Sequence, residues 1–151
     1  MVSIHFFVEQ VNFTLKQKTK IRQWIHQSIL SENKVLGEIN YIFCSDEYLL
    51  NINRTFLHHD SFTDIITFPI ESILKSKGAL HKTASLNGEI YISIERVKEN
   101  AKKFNTKFGT ELMRVMIHGV LHLCGYSDKS PVDKGVMRAL EDFYLKLILS
   151  K

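Results

Sequence analysis

Residues His118 to Asp128 read His-Gly-Val-Leu-His-Leu-Cys-Gly-Tyr-Ser-Asp, a pattern of H-x-x-x-H-x-x-G-x-x-D. Two histidines at i and i+4 lie on one face of a helix, one turn apart. Neutral imidazole is the commonest metal ligand, so His118 and His122 can grip one ion from a single rigid element. Gly125 suits the left-handed residue that ends a helix. Beyond it the chain can fold back and bring Asp128 to the same ion as a third ligand. Three protein ligands with an open fourth position describe a catalytic zinc site better than a structural one. One zinc ion per chain is therefore expected, held by His118, His122 and Asp128.

The spacing matches the extended zincin pattern H-E-x-x-H-x-x-G-x-x-H with two changes. Gly119 stands where the proteolytic glutamate would be, and Asp128 where a third histidine would be. Glycine cannot take a proton, so a peptidase would need another base such as Glu89 or Glu111. A metal ion can instead lower the pKa of its own bound water to about 7. Water held by His118 and His122 then suits phosphodiester hydrolysis, where a metal also offsets charge on phosphoryl oxygens. Arg114, one turn before His118, could face the site and hold a phosphate with its fork. The competing reading pairs it with Glu111 at i, i+3. Cys124 points to another helix face and reads as a small core residue. His58, His59 and Asp60 read as solvated loop rather than a second metal cluster. Lys98, Lys102, Lys103 and Lys107 line an RNA path or simply form a solvated helix face.

With 151 residues, one domain spanning 1–151 with one core is expected. No stretch approaches the ~18 apolar residues of a membrane span, and residues Met1 to Gln10 lack the build of a signal peptide. Together these favour a cytosolic protein. Cys44 and Cys124 lie far apart and imply no disulfide framework. The formal net charge of +4 tilts mildly towards an anionic partner.

Periodicity gives strands at Ser3–Glu9, Gly37–Ser45, Ile65–Ile70 and Gly88–Ile94, with Pro69 at a strand end or edge. Helices are expected over Leu15–Leu30, Ser45–Leu57, Glu95–Asn105, Thr106–Cys124 and Val132–Leu149. The first buries Ile21, Trp24, Ile25 and Ile29. The second turns Leu49, Leu50 and Phe56 inward, and the last Val136, Leu140, Phe143, Leu147 and Ile148. The helix with the histidines is apolar nearly all round, hence central. Glu71 to Asn87 has no clear period and reads as a long, mobile surface loop. Strands come early and helices late, which suggests α+β.

The same residues resemble a known family, the YbeY-type rRNA maturation factors. Its hallmark resembles H-G-x-L-H-L-x-G-Y-D-H, here His118-Gly119-Val-Leu121-His122-Leu123-Cys-Gly125-Tyr126-Ser127-Asp128. Asp60-Ser-Phe-Thr63-Asp64-Ile65-Ile66-Thr67-Phe68-Pro69 is similar to the family's D-x-P-T-D-V-L-S-F-P segment. Gly88-Glu89-Ile90-Tyr-Ile92-Ser93 is similar to its G-D-I-x-I-S strand. Glu111-Leu112-x-Arg114, Met137 and Glu141 also fit. Gly119 is thus the family's residue, whereas Ser127 and Asp128 depart from the hallmark. Leu57 stands where family members often carry an arginine, with Arg54 nearby but out of register.

The resemblance implies a small mixed sheet packed with helices and a zincin-like site on the central helix. It implies a metal-dependent, single-strand-specific endoribonuclease of ribosomal RNA, acting in small-subunit 3′-end maturation and ribosome biogenesis and associating with the small subunit. Composition and spacing alone reach a metal-dependent hydrolase with a basic surface. The competing readings are a zincin-like metallopeptidase, against which Gly119 speaks, and a ribosome-associated RNA-binding protein whose zinc is structural.

Overall fold

The computed structural model describes residues 3–70 and 85–149. In chain order these form β1 (Ile4–Glu9), α1 (Lys18–Ser31), β2 (Val35–Cys44), α2 (Asp46–Leu57), β3 (Ile65–Pro69), β4 (Ser85–Ser93), α3 (Ile94–Lys103), α4 (Phe108–Leu123) and α5 (Pro131–Leu149). The strands make one sheet in the order β1-β2-β4-β3. β1 and β2 run parallel, as do β2 and β4, and β3 closes the sheet antiparallel to β4. This is the expected α+β architecture with a mixed sheet. Pro69 ends β3, an edge strand, where a missing amide donor is tolerated.

Strand alternation divides the core between the two sheet faces. Ile39, Tyr41, Phe43, Ile90 and Ile92 point into the main core with residues of α1, α4 and α5. On the opposite face Cys44 and Ile66 join Leu49 of α2 in a smaller cluster, bordered by Phe68 and Tyr91. Two buried polar bonds fix the helices over the main face. Tyr41 donates through its hydroxyl to the Met116 carbonyl of α4 at 3.0 Å. Trp24 of α1 donates through Nε1 to the Tyr144 carbonyl of α5 at 2.8 Å. Helix α4 packs against α3, α5, β3 and β4, so the helix carrying the histidines is central as expected.

Local chemistry sets several element ends. Ser45 caps α2 by accepting from the Tyr48 amide, and Ser93 caps α3 by accepting from the Arg96 amide, both at 3.1 Å. Helix α4 ends in a Schellman arrangement. Gly125 has φ of 110°, its amide donates to His122 O at 3.0 Å, and the Tyr126 amide donates to Leu121 O at 3.1 Å.

Two expected helix faces are corrected. Phe56 is 61% exposed rather than inward; its ring meets Phe68 edge-on at 6.0 Å on the outer side. In α5, Val136, Phe143 and Leu147 face solvent, while Met137, Glu141, Tyr144, Leu145 and Ile148 are buried. Two apolar stripes compete on this helix. The buried one was hidden because its central member is a glutamate. Of the expected loop 71–87, Ser85–Asn87 already belong to β4, and residues 71–84 lie outside the described ones. Among the described residues no helix is long and apolar enough to cross a membrane.

Candidate metal centre

Helix α4 presents Glu111, Arg114, His118 and His122 along one side, in a cleft of about 900 Å³. His118 Nε2 and His122 Nε2 are 3.0 Å apart. Asp128 Oδ2 lies 3.4 Å from the first and 3.3 Å from the second. Among the described residues this is the group of His, Cys, Asp and Glu atoms close enough to share an ion. Tetrahedral zinc with bonds of about 2.0–2.1 Å separates its ligands by about 3.3 Å. The triangle of donor atoms therefore fits such an ion, and its mixed nitrogen and carboxylate chemistry suits zinc.

Each corner is held from outside. The turn at Gly125 sends the chain back towards α4, and Tyr126 anchors it by donating to Glu32 Oε1 at 2.7 Å. The Tyr144 hydroxyl donates to the other Glu32 oxygen. The loop carrying Asp128 is thus tied to α1 and α5. His118 Nδ1 meets Glu141 Oε2 at 2.7 Å. With Glu141 ionised, this bond places the ring proton on Nδ1 and leaves Nε2 free to ligate. Burial by itself lowers the His118 pKa, but the hydrogen bond and charge of Glu141, helped by Asp128 and Asp64, raise it above the ordinary value.

Glu141 is 5% exposed and needs more than one partner. Arg114 supplies it, donating from Nη1 to Glu141 Oε1 at 3.0 Å and from Nη2 to Asp142 Oδ1 at 2.7 Å. Arg114 lines the cleft, as expected, but its fork is engaged by α5 rather than turned wholly to a ligand or paired with Glu111. Sequence reading missed the Arg114–Glu141–His118 chain. The available signal was the stripe Met137, Glu141, Tyr144, Ile148, a charge set among apolar residues at helical spacing.

Two further carboxyl groups line the cleft, and burial raises both above the usual range: Asp64 and Glu111. Glu111 stands two helical turns, about 10 Å along the axis, before His118, not beside it as a zincin base would. Glu89 lies outside the cleft lining and accepts from the Tyr91 hydroxyl at 3.1 Å. Gly119 has a packing reason: a Cβ there would come 2.9 Å from Ile90 Cγ2 and 3.1 Å from Ile65 Cδ1.

Cys124 packs against the main core and takes no part in the donor triangle. Burial raises its thiol pKa to about 11. His58 caps α2 with φ of 56°, and Asp60 pairs with Arg54 at 2.5 Å, so His58, His59 and Asp60 form no ligand cluster. Leu57 forms part of the cleft wall. Lys98, Lys102, Lys103 and Lys107 are exposed.

A family model described as Endoribonuclease YbeY matches residues 4–148. A Flavobacterium psychrophilum protein named Endoribonuclease YbeY is 50% identical over 147 residues, covering 97% of this chain and 96% of its own. A protein of the same name from Christiangramia forsetii is 48% identical, covering 92% and 90%. The solution structure of TM1509 from Thermotoga maritima superposes with a TM-score of 0.62 at 25% identity, covering 96% of this chain and 89% of that one. The chain belongs to the Endoribonuclease YbeY family.

Proposed function

We propose that this chain is a metal-dependent, single-strand-specific endoribonuclease of ribosomal RNA, acting in the cytoplasm in small-subunit 3′-end maturation. Residues 1–151 then serve as one catalytic domain, and the small ribosomal subunit is its partner. The observation that carries the reading is the convergence of His118 Nε2, His122 Nε2 and Asp128 Oδ2 within 3.0–3.4 Å in an open cleft. Membership in a family named for endoribonuclease activity supplies the substrate class.

In this reading His118, His122 and Asp128 hold one zinc ion. When bound, the ion supplies Lewis acidity towards water and the phosphodiester. Glu141 keeps the His118 proton on Nδ1, so that Nε2 is a ligand rather than a donor. Arg114 pairs with the buried Glu141 and the half-exposed Asp142 through its two terminal nitrogens, which fixes α5 against α4. The edge of that guanidinium which faces the cleft, together with Arg138, gives a phosphate its cationic contacts. Asp64 and Glu111, both raised by burial, are cleft carboxyl groups placed to exchange a proton with the substrate. Single-stranded RNA fits better than a duplex because its backbone can bend into the cleft.

The test is cleavage of matched single- and double-stranded RNAs by purified protein, with metal removed and restored. Metal-dependent cleavage confined to the single strand is expected. Equal cleavage of both RNAs, or cleavage unaffected by chelation, would overturn the reading.

A further inference from the structure

The wall of the cleft carries two exposed aromatic rings. Phe62, on the loop between α2 and β3, is 50% exposed, and Phe104, at the C-terminal cap of α3, is 55% exposed. Both line the cleft that contains the donor triangle. Scattered exposed apolar residues are ordinary. These two differ in having cations placed against them. The Arg96 guanidinium carbon lies 5.1 Å from the Phe62 ring centroid, and Lys103 Nζ lies 5.8 Å from that of Phe104.

The contact at Phe62 is anchored. Arg96 Nη2 donates to Asp46 Oδ2 at 2.6 Å, and Ser93 Oγ donates to Asp46 Oδ1 at 2.9 Å. The guanidinium is therefore fixed from α2 and the start of α3, and it sits over a ring that is half exposed. Guanidinium on one face leaves the other for a planar ligand. Leu57 extends the apolar wall nearby.

A ligand matching both features has flat π surfaces joined by an anionic chain. Unpaired nucleotides have this build. Bases of a duplex are already stacked on one another and present only their edges. An apolar peptide would use the rings but bring no anion to Lys103 or to Arg138 of the cleft. Charge complementarity thus selects single-stranded nucleic acid as the occupant.

We propose that Phe62 and Phe104 are stacking platforms for unpaired bases of the bound RNA, near the scissile phosphate. This rests on the ribonuclease reading above and deepens it. Stacking tolerates any base, so the platforms select single-strandedness and register, not sequence.

The test uses the metal-loaded full chain and a short unstructured RNA carrying a fluorescent purine. Binding and cleavage are measured for wild type, Phe62→Ala, Phe104→Ala, the two Trp replacements, and Phe7→Ala as an exposed ring outside the cleft. Each cleft Ala variant is expected to weaken binding by about five- to a hundred-fold, through KM more than kcat, with an unchanged Tm. Trp should restore it, and Phe7→Ala should match wild type. Placing an abasic ribose at each RNA position in turn should find sites where the Ala penalty vanishes. Ala variants that bind and cleave like wild type would overturn the proposal. So would penalties equal on intact and abasic RNA, or a fall in Tm matching the loss, which would mark the rings as covered by protein. Wild-type protein that neither binds nor cleaves RNA would overturn the ribonuclease reading itself, before any variant is compared.

Discussion

Glu141 Oε2 lies 2.7 Å from His118 Nδ1, on the side of the imidazole away from Asp128 and His122. A carboxylate in that position fixes the tautomer and ring orientation of a ligating histidine. Glu141→Gln keeps the shape but not the charge. Metal affinity, read by competition with a chromogenic chelator, should fall about 10–100-fold, with the fold retained. An unchanged affinity would mean that His118 is not a ligand through Nε2.

Arg114 bridges Glu141 and Asp142 and is mostly buried, whereas Asp142 is half exposed. The Asp142 arm is screened by solvent and contributes little. The Glu141 arm matters more, because Arg114→Ala would strand a buried carboxylate. A loss of about 3 kcal/mol in unfolding free energy is expected, measured by denaturant titration. Intact stability would show that the buried Glu141 does not depend on Arg114, whatever the effect on cleavage.

The metal-free protein should respond to pH with the opposite sign to the metal-loaded one. Burial lowers the His118 pKa, but Glu141 outweighs it and the folded value is raised. The folded state then binds this proton more tightly than the unfolded chain. The resulting stabilisation is complete below the unfolded pKa of about 6.5 and is lost as pH rises through the folded value. Asp64 and Glu111, raised by burial, act with the same sign at lower pH. Thermal melts of metal-free protein should therefore show Tm rising as pH falls through the folded His118 value towards about 6.5. With saturating metal, protons compete for His118 and Tm should fall over the same range. Equal slopes would contradict the assignment, and Glu141→Gln should flatten the metal-free one.

Gly119 is required by packing as well as by pattern. A Cβ would press on the branched Ile90 side chain at 2.9–3.0 Å, with Ile65 behind it at 3.1 Å. Neither neighbour is the free end of a long, flexible chain. Gly119→Ala should cost about 1–3 kcal/mol through overpacking, despite alanine's better helix propensity. A stabilised variant would show that the α4–sheet contact is looser than described.

Much of this architecture is legible in the sequence because its signals are local. His118, His122 and Gly125 declare a helix face and its stop. Ile90 and Ile92 alternate along β4 in a period that only a strand uses. The α5 face was misjudged because periodicity sees apolar atoms only. Met137, Tyr144 and Ile148 are inward together with Glu141, which is buried because Arg114 and His118 satisfy it from another helix. The partners of Arg114 are illegible for the same reason: Glu141 and Asp142 lie 27 and 28 residues away, beyond any i, i+3 argument. Phe62 gave no signal at all, since its neighbour Arg96 meets it only in three dimensions.

Asp128 is the corner where the chain departs from the hallmark it otherwise resembles, so it bears most directly on the account. Metal stoichiometry and RNA cleavage should be measured together for wild type and Asp128→Ala. The account predicts one zinc per wild-type chain, and a folded variant that has lost both metal and cleavage. A variant that keeps its metal and its activity would contradict it, leaving Asp128 a residue of the turn beside two histidines.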